Sequence, residues 1–548
     1  MSAETPFDTL VRTFRWSLPV GLNIGVDVCD RWAAVDPRRP AILSHRPTGG
    51  PAVTDFGTLA ALSNRLANAL AGLGVGRLDR VAILLPQGLE AALAHIAIYK
   101  LGAVALPLSV LFGSDALSYR LQRAAVKAVI TTAAGAERLE PLRGDLPDLA
   151  EIVAIDRLAP GARDWSRLIE AASDRFEPAA TGPSDPALMI FTSGTTGKPK
   201  PTLHGHGVLA GHMPGIDLAQ DTLGAPGDVM WTPADWAWAG GLLNALLPAL
   251  SAGVPVLAHR FDKFDPELAC QLMADHRVSN AFLPPTALKI MRPLGAVRER
   301  YGLTLRAVGS AGEALGREAY DWARDAFGMP VNEFYGQTEC NAVIGSSHAL
   351  GVGRAGAIGK PIPGHTVAVI DDDGAPLGPG KVGQIAVRRP DPVMFLGYAG
   401  DDEATAAKFI GDWMTTGDSG VVDADGYISF VGRDDDVITS AGYRIGPGEI
   451  EDCLIAHPAV QLAVAVGKPD PVRTEIVKAF VLLKPGETPS NDLAAAIKAF
   501  VRVRLSAHEY PREVAFVDDI PMTTSGKLIR RVFRDQVRAE ADGGVVSG

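Results

Sequence analysis

The chain has 548 residues, 47% of them hydrophobic and 21% charged, which excludes a disordered or fibrous protein and allows two or more domains with large cores. The formal net charge of -11 argues against a nucleic-acid-binding protein, because duplex recognition needs a surplus of Lys and Arg. The four cysteines are scattered without C-x-x-C spacing, which argues against structural zinc and against a disulfide framework.

Two features of the sequence bear on where the protein is located. The N-terminus lacks an apolar signal segment and carries Glu4 and Asp8. The longest apolar stretch, which starts at Leu242, is broken by Pro248 and Pro255. We therefore expect no integral membrane segment and a cytoplasmic location.

The first 350 residues alternate between helical and strand patterns. Leucines from Leu59 to Leu73 recur at helical spacing behind a possible Asp55 cap and stop at Gly74, and the next segment, RVAILLP, is typical of a buried strand. Helix and strand patterns then follow in turn in GLEAALAHIAIYKLG, AVALPL, DALSYRLQRA and KAVITT, and strands return at ALMIFT and GVPVLA. This alternation predicts a layered α/β domain with a largely parallel sheet.

After about residue 350 the pattern changes to short strands with frequent turns, as in HTVAVIDDDGAP, GQIAVRRP and DGYISFVGR, which predicts an antiparallel subdomain. The last hundred residues start a new α/β pattern with GEIEDCLIAHP, VQLAVAVG, VKAFVLL and AAAIKAFVRVRL. We place a domain boundary at Asp435, so that residues 1–434 form a large domain and residues 435–548 a small one. The predicted fold class is α/β, and α+β in part.

Residues 191 to 202 read FTSGTTGKPKPT, a run of glycines and small hydroxyl side chains that follows a predicted strand. It is not a P-loop, because only two residues separate Gly194 from Gly197 and because two prolines close behind Lys198 prevent a helix. Backbone N–H groups and hydroxyls in such a loop can surround a polyphosphate, with Lys198 as a cation. In isolation, a solvated surface turn is an equally good interpretation.

Four further motifs carry polar side chains suited to nucleotide chemistry. YGQTE, which ends at Glu339, places a hydroxyl beside a carboxylate, and the two can contact a phosphate and Mg²⁺ together. TTGD ends at Asp418, whose carboxylate can accept hydrogen bonds from both hydroxyls of a ribose, with Arg433 nearby to fix it. AGYRIGPGEIE contains Arg444, and PMTTSGKLIRR contains Lys527. Each motif alone is more often a helix cap, an ion pair or solvated surface.

In this order, the five motifs resemble those of the adenylate-forming superfamily of acyl-CoA synthetases, luciferases and adenylation domains, over nearly the whole chain. AGYRIGPGEIE, HPAV, PDPVRTEIVKAFVLL, EYPREVAFV and TTSGK are most similar to the medium-chain and benzoate-type acyl-CoA synthetases. The resemblance implies an ATP-dependent, AMP-forming enzyme. A carboxylate attacks the α-phosphate of ATP to give an acyl-adenylate and pyrophosphate, and the acyl group then passes to coenzyme A. The implied cofactors and substrates are ATP, Mg²⁺, coenzyme A and a carboxylic acid.

The resemblance also implies a large N-terminal domain of layered α/β subdomains with a small β-subdomain, hinged at Asp435 to a mobile C-terminal α/β domain. Lys527 is expected to bridge the carboxylate and the α-phosphate during adenylation, a role that suits an ammonium. Arg444 belongs to the implied catalytic set. Contacts with coenzyme A are implied for Ser440, Ala441 and Gly442 along the pantetheine tunnel, and for Arg473, Arg502, Tyr510 and Arg512.

The nucleotide contacts are carried over from the matched motifs residue by residue. Thr338 is expected to contact the α-phosphate and Glu339 to position Mg²⁺, while Asp418 and Arg433 bind the ribose. Residues of SAGEAL, together with the tyrosine of YGQTE, are expected to flank the adenine. The implied nucleotide-binding set is Thr192, Ser193, Gly194, Thr195, Thr196, Gly197, Lys198, Glu313, Ala314, Tyr335, Gly336, Gln337, Thr338, Asp418, Arg433 and Lys527.

The acyl pocket is assigned by family position to Trp238, Ala239, Gly240, Ala311 and Gly336. Acetate-specific relatives carry a tryptophan at the position of Gly336, so glycine predicts a pocket for acids larger than acetate, whether linear, branched or aryl. Each buried CH₂ contributes about 0.8 kcal/mol. The alternative is that Gly336 is only a turn glycine and that other side chains close the space.

Two other activities stay open from the sequence. One is an adenylating enzyme that loads the thiol of a carrier protein. The other is an ADP-forming ATPase or kinase, against which the missing P-loop spacing argues. PMTTSGK also resembles a motif that is acetylated in bacterial relatives, which implies a lysine acetyltransferase and a deacetylase acting on Lys527.

Overall fold

The computed structural model describes residues 5–192, 198–433, 436–440, 443–470, 474–505, 510–523 and 528–541. These residues form four β-sheets with helices packed on them, three sheets in the large N-terminal part and one in the small C-terminal part. The predicted fold class is therefore confirmed.

The first large sheet has nine strands and is parallel in its centre. Six neighbouring strands run in one direction, and antiparallel strands close both edges. In spatial order the strands are Lys360–Pro361, Asn341–Gly345, Asn332–Gln337, Ala307–Ser310, Asn280–Phe282, Met230–Trp231, Val256–Ala258, Pro40–Ser44 and Ala52–Asp55.

The second large sheet has eight strands, of which six are parallel. Its antiparallel edge includes a β-hairpin in which Thr192 pairs with Lys200, so these two strands flank the predicted phosphate loop. In spatial order the strands are Gly397–Tyr398, Lys200–Gly205, Pro186–Thr192, Val104–Pro107, Arg80–Leu84, Val126–Thr131, Glu151–Ala154 and Arg163–Asp164.

The predicted antiparallel subdomain is also present, as a five-stranded sheet. Its strands are Val367–Ile370, Val382–Arg388, Trp413–Val422, Phe409–Ile410 and Ile428–Arg433, of which the last pairs with Trp413–Val422.

The C-terminal part has its own five-stranded sheet. The long strands Val460–Asp470 and Thr474–Leu483 pair antiparallel, and Glu513–Phe516 runs parallel to the second of them. The remaining two strands are Ile438–Ser440 and Tyr443–Ile445.

Helices cover the sheets. The α-helices are Pro6–Thr13, Arg31–Val35, Phe56–Gly72, Leu89–Lys100, Ser114–Arg123, Ala133–Leu139, Trp165–Ala171, Gly207–Ala219, Ala239–Gly241, Leu247–Ser251, Pro266–Asp275, Pro285–Met291, Val297–Tyr301, Arg317–Phe327, Asp402–Ala406, Pro447–Ile455, Asn491–Arg504 and Arg530–Ala541. Short π- or 3₁₀-helical segments are Val26–Asp30, Glu140–Asp145, Leu242–Leu246, Arg292–Leu294 and His348–Leu350. In the described ranges, no helix has both the length and the apolar character needed to cross a membrane.

The local sequence determines where the helix Phe56–Gly72 begins and ends. Asp55 Oδ1 accepts a hydrogen bond from the backbone N–H of Thr58 at 2.8 Å, which confirms the predicted N-cap. Gly74, with φ +84°, follows the end of the helix and turns the chain toward the next strand.

The two large sheets share one hydrophobic core. It contains Ile42 and Val256 from the first sheet, Ile83 and Leu188 from the second, and Leu93 from a helix. Strands of parallel sheets are buried on both faces and therefore have nearly continuous apolar sequences, as RVAILLP does. This shared core fixes the two sheets with respect to each other.

Candidate active site

A cavity of about 740 Å³ lies where strands of both large sheets end. Gln87 and Ser109 follow strands of the second sheet, and Pro233 and Ala311 follow strands of the first. In open α/β sheets, ligands bind in the crevice beyond the carboxyl ends of the parallel strands. The cavity therefore lies where the topology favours a ligand.

One end of this cavity lies beside the FTSGTTGKPKPT run, where Thr192, the last residue of its strand, lines the wall. Lys198 Nζ lies 5.3 Å from the ring centroid of Tyr119. The Tyr119 hydroxyl donates a hydrogen bond to the Pro199 carbonyl at 3.0 Å. Tyr119, which the sequence analysis missed, thus holds the C-terminal side of the loop. Ser193, Gly194, Thr195, Thr196 and Gly197 lie outside the described residues.

The YGQTE motif forms the end of one strand and the start of a tight turn, and Gly336, Gln337 and Thr338 line the cavity. A Cβ atom at Gly336 would lie only 1.2 Å from the carbonyl oxygen of Asn341 on the paired strand. Glycine is therefore required here by the close approach of two backbone segments. This close approach supports the interpretation that Gly336 is a turn glycine. The size of the acyl pocket therefore has to be inferred from other residues of the wall.

Asp418 is 4% exposed and is linked to the cavity wall by a hydrogen bond from Gln337, which lines the cavity. Its Oδ2 accepts hydrogen bonds from the Tyr335 hydroxyl and from Gln337 Nε2, both at 2.6 Å. Its Oδ1 lies 3.3 Å from Arg433 Nη1, but it accepts no hydrogen bond from the part of the chain that the structure describes. Burial raises the pKa of Asp418, and the Arg433 guanidinium opposes that shift.

These contacts bring together four residues of the implied nucleotide set. Oδ1 is the acceptor that a ribose hydroxyl can use, since the other carboxylate oxygen is occupied. The hydroxyl of Tyr335 is bound to Asp418, so only its ring is left to contact an adenine.

Glu339 is a buried carboxylate, 8% exposed, directly after Thr338. Its Oε1 accepts a hydrogen bond from the Tyr398 hydroxyl at 2.6 Å. Lys200 Nζ lies 5.0 Å from the Tyr398 ring centroid. A single carboxylate near a phosphate site fits Mg²⁺, which keeps most of its waters and takes its other ligands from phosphates. In the described ranges, no cluster of three or more His, Cys, Asp or Glu could hold a metal without the nucleotide.

Glu313 lines the cavity after the strand Ala307–Ser310. The Thr286 hydroxyl donates to its carboxylate, at 2.9 Å from Oε1 and 3.0 Å from Oε2. Ala314 follows on the exposed side of the turn.

The five residues predicted for the acyl pocket all line the cavity: Trp238, Ala239, Gly240, Ala311 and Gly336. Aromatic rings extend the same wall. Trp238 packs edge-on against Phe112 with centroids 5.6 Å apart, and Phe282 packs against Phe334 at 5.8 Å.

Two polar residues at this end, His212 and Asn244, belong to none of the sequence motifs. His212 Nε2 lies 3.0 Å from Asn244 Oδ1, and its Nδ1 faces the backbone N–H of Ala342 at 3.3 Å. Burial lowers the pKa of His212 to about 4, so the ring is neutral near pH 7. These residues are far apart in sequence, and no motif spacing connects them.

In the C-terminal part, the structure brings three of the residues implied for coenzyme A together. The guanidinium groups of Arg502 and Arg512 lie 5.4 Å and 4.7 Å from the ring centroid of Tyr510. Ser440 is buried at the end of its strand, and only the backbone of Arg444 is described, in the strand Tyr443–Ile445.

The C-terminal part reaches the cavity through Met522, which lines it and pairs with Leu528 in a β-bridge. Lys527 directly precedes Leu528 in the chain. Outside the described residues lie Asp435, Ala441, Gly442, Arg473 and Lys527.

Comparison with known proteins agrees with this geometry. Residues 29–399 match the family described as AMP-binding enzyme, and residues 449–527 match the AMP-binding enzyme C-terminal domain. The uncharacterized acyl-CoA ligase YtcI of Bacillus subtilis is 33% identical over 94% of this chain and 96% of its own length. Human mitochondrial acyl-coenzyme A synthetase ACSM4 is 32% identical over 95% of this chain and 91% of its own.

A solved structure extends the likeness to three dimensions. The anthranilate CoA ligase AuaEII, in complex with anthranoyl-AMP, superposes with a TM-score of 0.87 at 27% identity, covering 96% of this chain and 99% of that one. The family matches cover most of the chain, and the relatives align over nearly their full length. The chain therefore belongs to the adenylate-forming superfamily of AMP-binding enzymes, and it is an AMP-forming acyl-CoA synthetase.

Proposed function

We propose that this synthetase activates a carboxylic acid larger than acetate, of the medium-chain, branched or aryl class. The observation that carries the proposal is that one continuous cavity, of about 740 Å³, is lined both by the nucleotide-site residue Thr338 and by the apolar residues Trp238, Phe282 and Phe334. Cavities of a few hundred Å³ with apolar walls and few polar groups are typical of small-molecule sites.

The size of the acid follows from the small residues in the wall. Ala239, Gly240, Ala311 and Ala342 leave room beside the aromatic rings. Each CH₂ group that an acid buries there contributes about 0.8 kcal/mol, so that three additional groups favour binding by roughly 50-fold or more. The names of the relatives support the same class, since AuaEII is an anthranilate CoA ligase.

For the adenylation step, we propose that Asp418 Oδ1 accepts a ribose hydroxyl and that Thr338 contacts the α-phosphate. Glu339 holds Mg²⁺, which neutralises phosphate charge when it is bound with ATP. Lys527 bridges the attacking carboxylate and the α-phosphate. The residues from Thr192 to Lys198 hold the departing pyrophosphate.

For the thioester step, we propose that the C-terminal domain turns about Asp435 and brings the segment from Ser440 to Arg444 to the cavity. The two guanidinium groups on Tyr510, which belong to Arg502 and Arg512, are suited to phosphate groups of coenzyme A because each presents several N–H donors. The family matches support this division, because the first ends at residue 399 and the second begins at residue 449, on either side of Asp435.

The test of the proposed acid class is a screen of linear, branched and aromatic acids from C2 to C10 with ATP, Mg²⁺ and free coenzyme A. We expect AMP as the nucleotide product, the acyl-CoA as the acyl product, and a kcat/KM that rises by at least tenfold above acetate for some larger acid. Acetate as the best substrate would overturn the proposed class. ADP as the product, or acyl transfer only to a carrier protein, would favour one of the alternative activities.

We also propose that acetylation of Lys527 switches adenylation off, because it removes the ammonium charge. The expected result is loss of pyrophosphate release after stoichiometric acetylation of this lysine, with recovery after treatment with a deacetylase. Full activity of the acetylated enzyme, verified by mass spectrometry, would exclude this regulation.

A further inference from the structure

One residue in the wall at the acyl end of the cavity carries a buried amide donor. Asn341 lines the cavity and is 6% exposed. Its Nδ2 is buried and has no hydrogen-bond partner among the residues that the structure describes. A buried N–H group without a partner is costly, and native structures contain few of them.

We propose that the acid carries a neutral hydrogen-bond acceptor on its acyl part, such as a keto, ether or nitro oxygen, and that Asn341 Nδ2 binds it. This inference rests on the proposed function, because it places the acyl group in the same cavity. It makes Asn341 a specificity-determining residue that contacts the substrate away from the reacting carboxylate.

The backbone holds Asn341 in place. Its φ is +46°, in the left-handed region that Asn tolerates better than most residues. Its carbonyl oxygen occupies the space where a side chain at Gly336 would otherwise lie. The side chain of Asn341 therefore starts from a backbone position with little freedom.

The neighbouring polar pair adds a second donor at the same end. The backbone N–H of Ala342 points at Nδ1 of His212 at 3.3 Å, so the ring proton is on Nε2. Nε2–H then donates to Asn244 Oδ1 at 3.0 Å, which leaves Nδ2 of Asn244 directed away from the histidine. A Cβ atom at Gly240, in the cavity wall, would lie 3.9 Å from this Nδ2.

The charge of the site restricts the acceptor to a neutral one. His212 is neutral near pH 7, because burial lowers its pKa to about 4. Arg260 and Lys263, the cationic residues in the described cavity wall, are exposed. A second carboxylate on the acyl part would thus be buried without a counter-ion, which is unfavourable. Dicarboxylic acids are expected to be poor substrates.

The experiment compares acids of similar shape with and without a neutral oxygen acceptor: methoxybenzoates with the matching ethylbenzoates, and 5-oxohexanoate with 5-methylhexanoate. For at least one pair, the oxygen-containing acid is expected to have a kcat/KM roughly tenfold higher in the wild-type enzyme. Asn341→Gly keeps the left-handed backbone accessible and removes the donor, so the ratio should fall to about one. Asn341→Asp presents an acceptor instead, and the ratio should fall below one.

Three outcomes separate the possibilities. A wild-type ratio near one for every pair, or a ratio unchanged in both variants, overturns this inference. Activity of both variants on the ethyl or methyl analogue shows that they are folded and that only the acceptor preference is lost. If no acid larger than acetate releases AMP with the wild-type enzyme, the proposed acid class is wrong. This result differs from a ratio near one, which would overturn only the role of Asn341.

Discussion

Lys527→Ala is expected to lower acid-dependent ATP–pyrophosphate exchange by roughly 10²–10³ or more, because one positioned cation that stabilises developing charge contributes an effect of this size. Thioester formation from supplied acyl-adenylate and coenzyme A should stay mostly intact. Met522 and Leu528, on either side of the segment that holds Lys527, pair with each other, and Met522 lines the cavity.

Two controls sharpen this test. Lys527→Arg keeps the positive charge but replaces the compact ammonium with a planar guanidinium group. This variant should therefore retain only part of the wild-type exchange activity. Lys198→Ala should mainly raise the KM for ATP, since Lys198 is assigned to the departing phosphates. An equal loss in the two half-reactions of Lys527→Ala would contradict a role confined to adenylation.

Gly336→Ala is expected to reduce kcat/KM at least 100-fold with every acid and to lower the melting temperature. The new Cβ atom would lie 1.2 Å from the carbonyl oxygen of Asn341. That oxygen belongs to the backbone, so no side-chain rotation relieves the clash, and the turn from Gln337 to Asn341 has to move. Thr338, within this turn, would then lose the position in the cavity wall from which it is proposed to contact the α-phosphate. Strain of this kind is among the largest single-residue effects on stability.

The matched control is Gly240→Ala. A Cβ atom there would lie 3.3 Å from Cε1 of Phe282, a side chain that can shift by a few tenths of an ångström. We expect an unchanged melting temperature, with kcat/KM lowered by roughly tenfold for aryl acids and little changed for acetate. If Gly336→Ala instead behaved like Gly240→Ala, with normal stability and a changed size preference, then position 336 would open into the pocket.

Sequence patterns that span only a few neighbouring residues predicted the helix cap, the strands and the β-subdomain correctly. The N-cap at Asp55, the buried strand at RVAILLP and the antiparallel subdomain are confirmed, because each depends on a few neighbouring residues. The nucleotide motifs predicted part of the cavity wall, since FTSGTTGKPKPT and YGQTE each lie where a strand ends. Thr192 and Thr338 reach the same cavity from different sheets.

The polar end of the acyl pocket could not be predicted in this way. His212, Asn244 and Asn341 come from two helical segments and a strand edge, and only the packed fold brings them together. A lone histidine or asparagine in an apolar segment gives no sign of its partner. The supporting tyrosines, Tyr119 and Tyr398, were missed for the same reason.

The cavity wall is part of the hydrophobic core that joins the two large sheets, because Phe282, Phe334 and Ala342 belong to both. Ala311 is a further member of both, and Ala239 packs against the same core. A substitution that changes the size of a side chain at these positions therefore also changes the packing of the core and lowers stability. A change of acid preference is thus coupled to stability, and retargeting this enzyme to another acid requires exchanges that conserve the summed volume of the wall and its core neighbours.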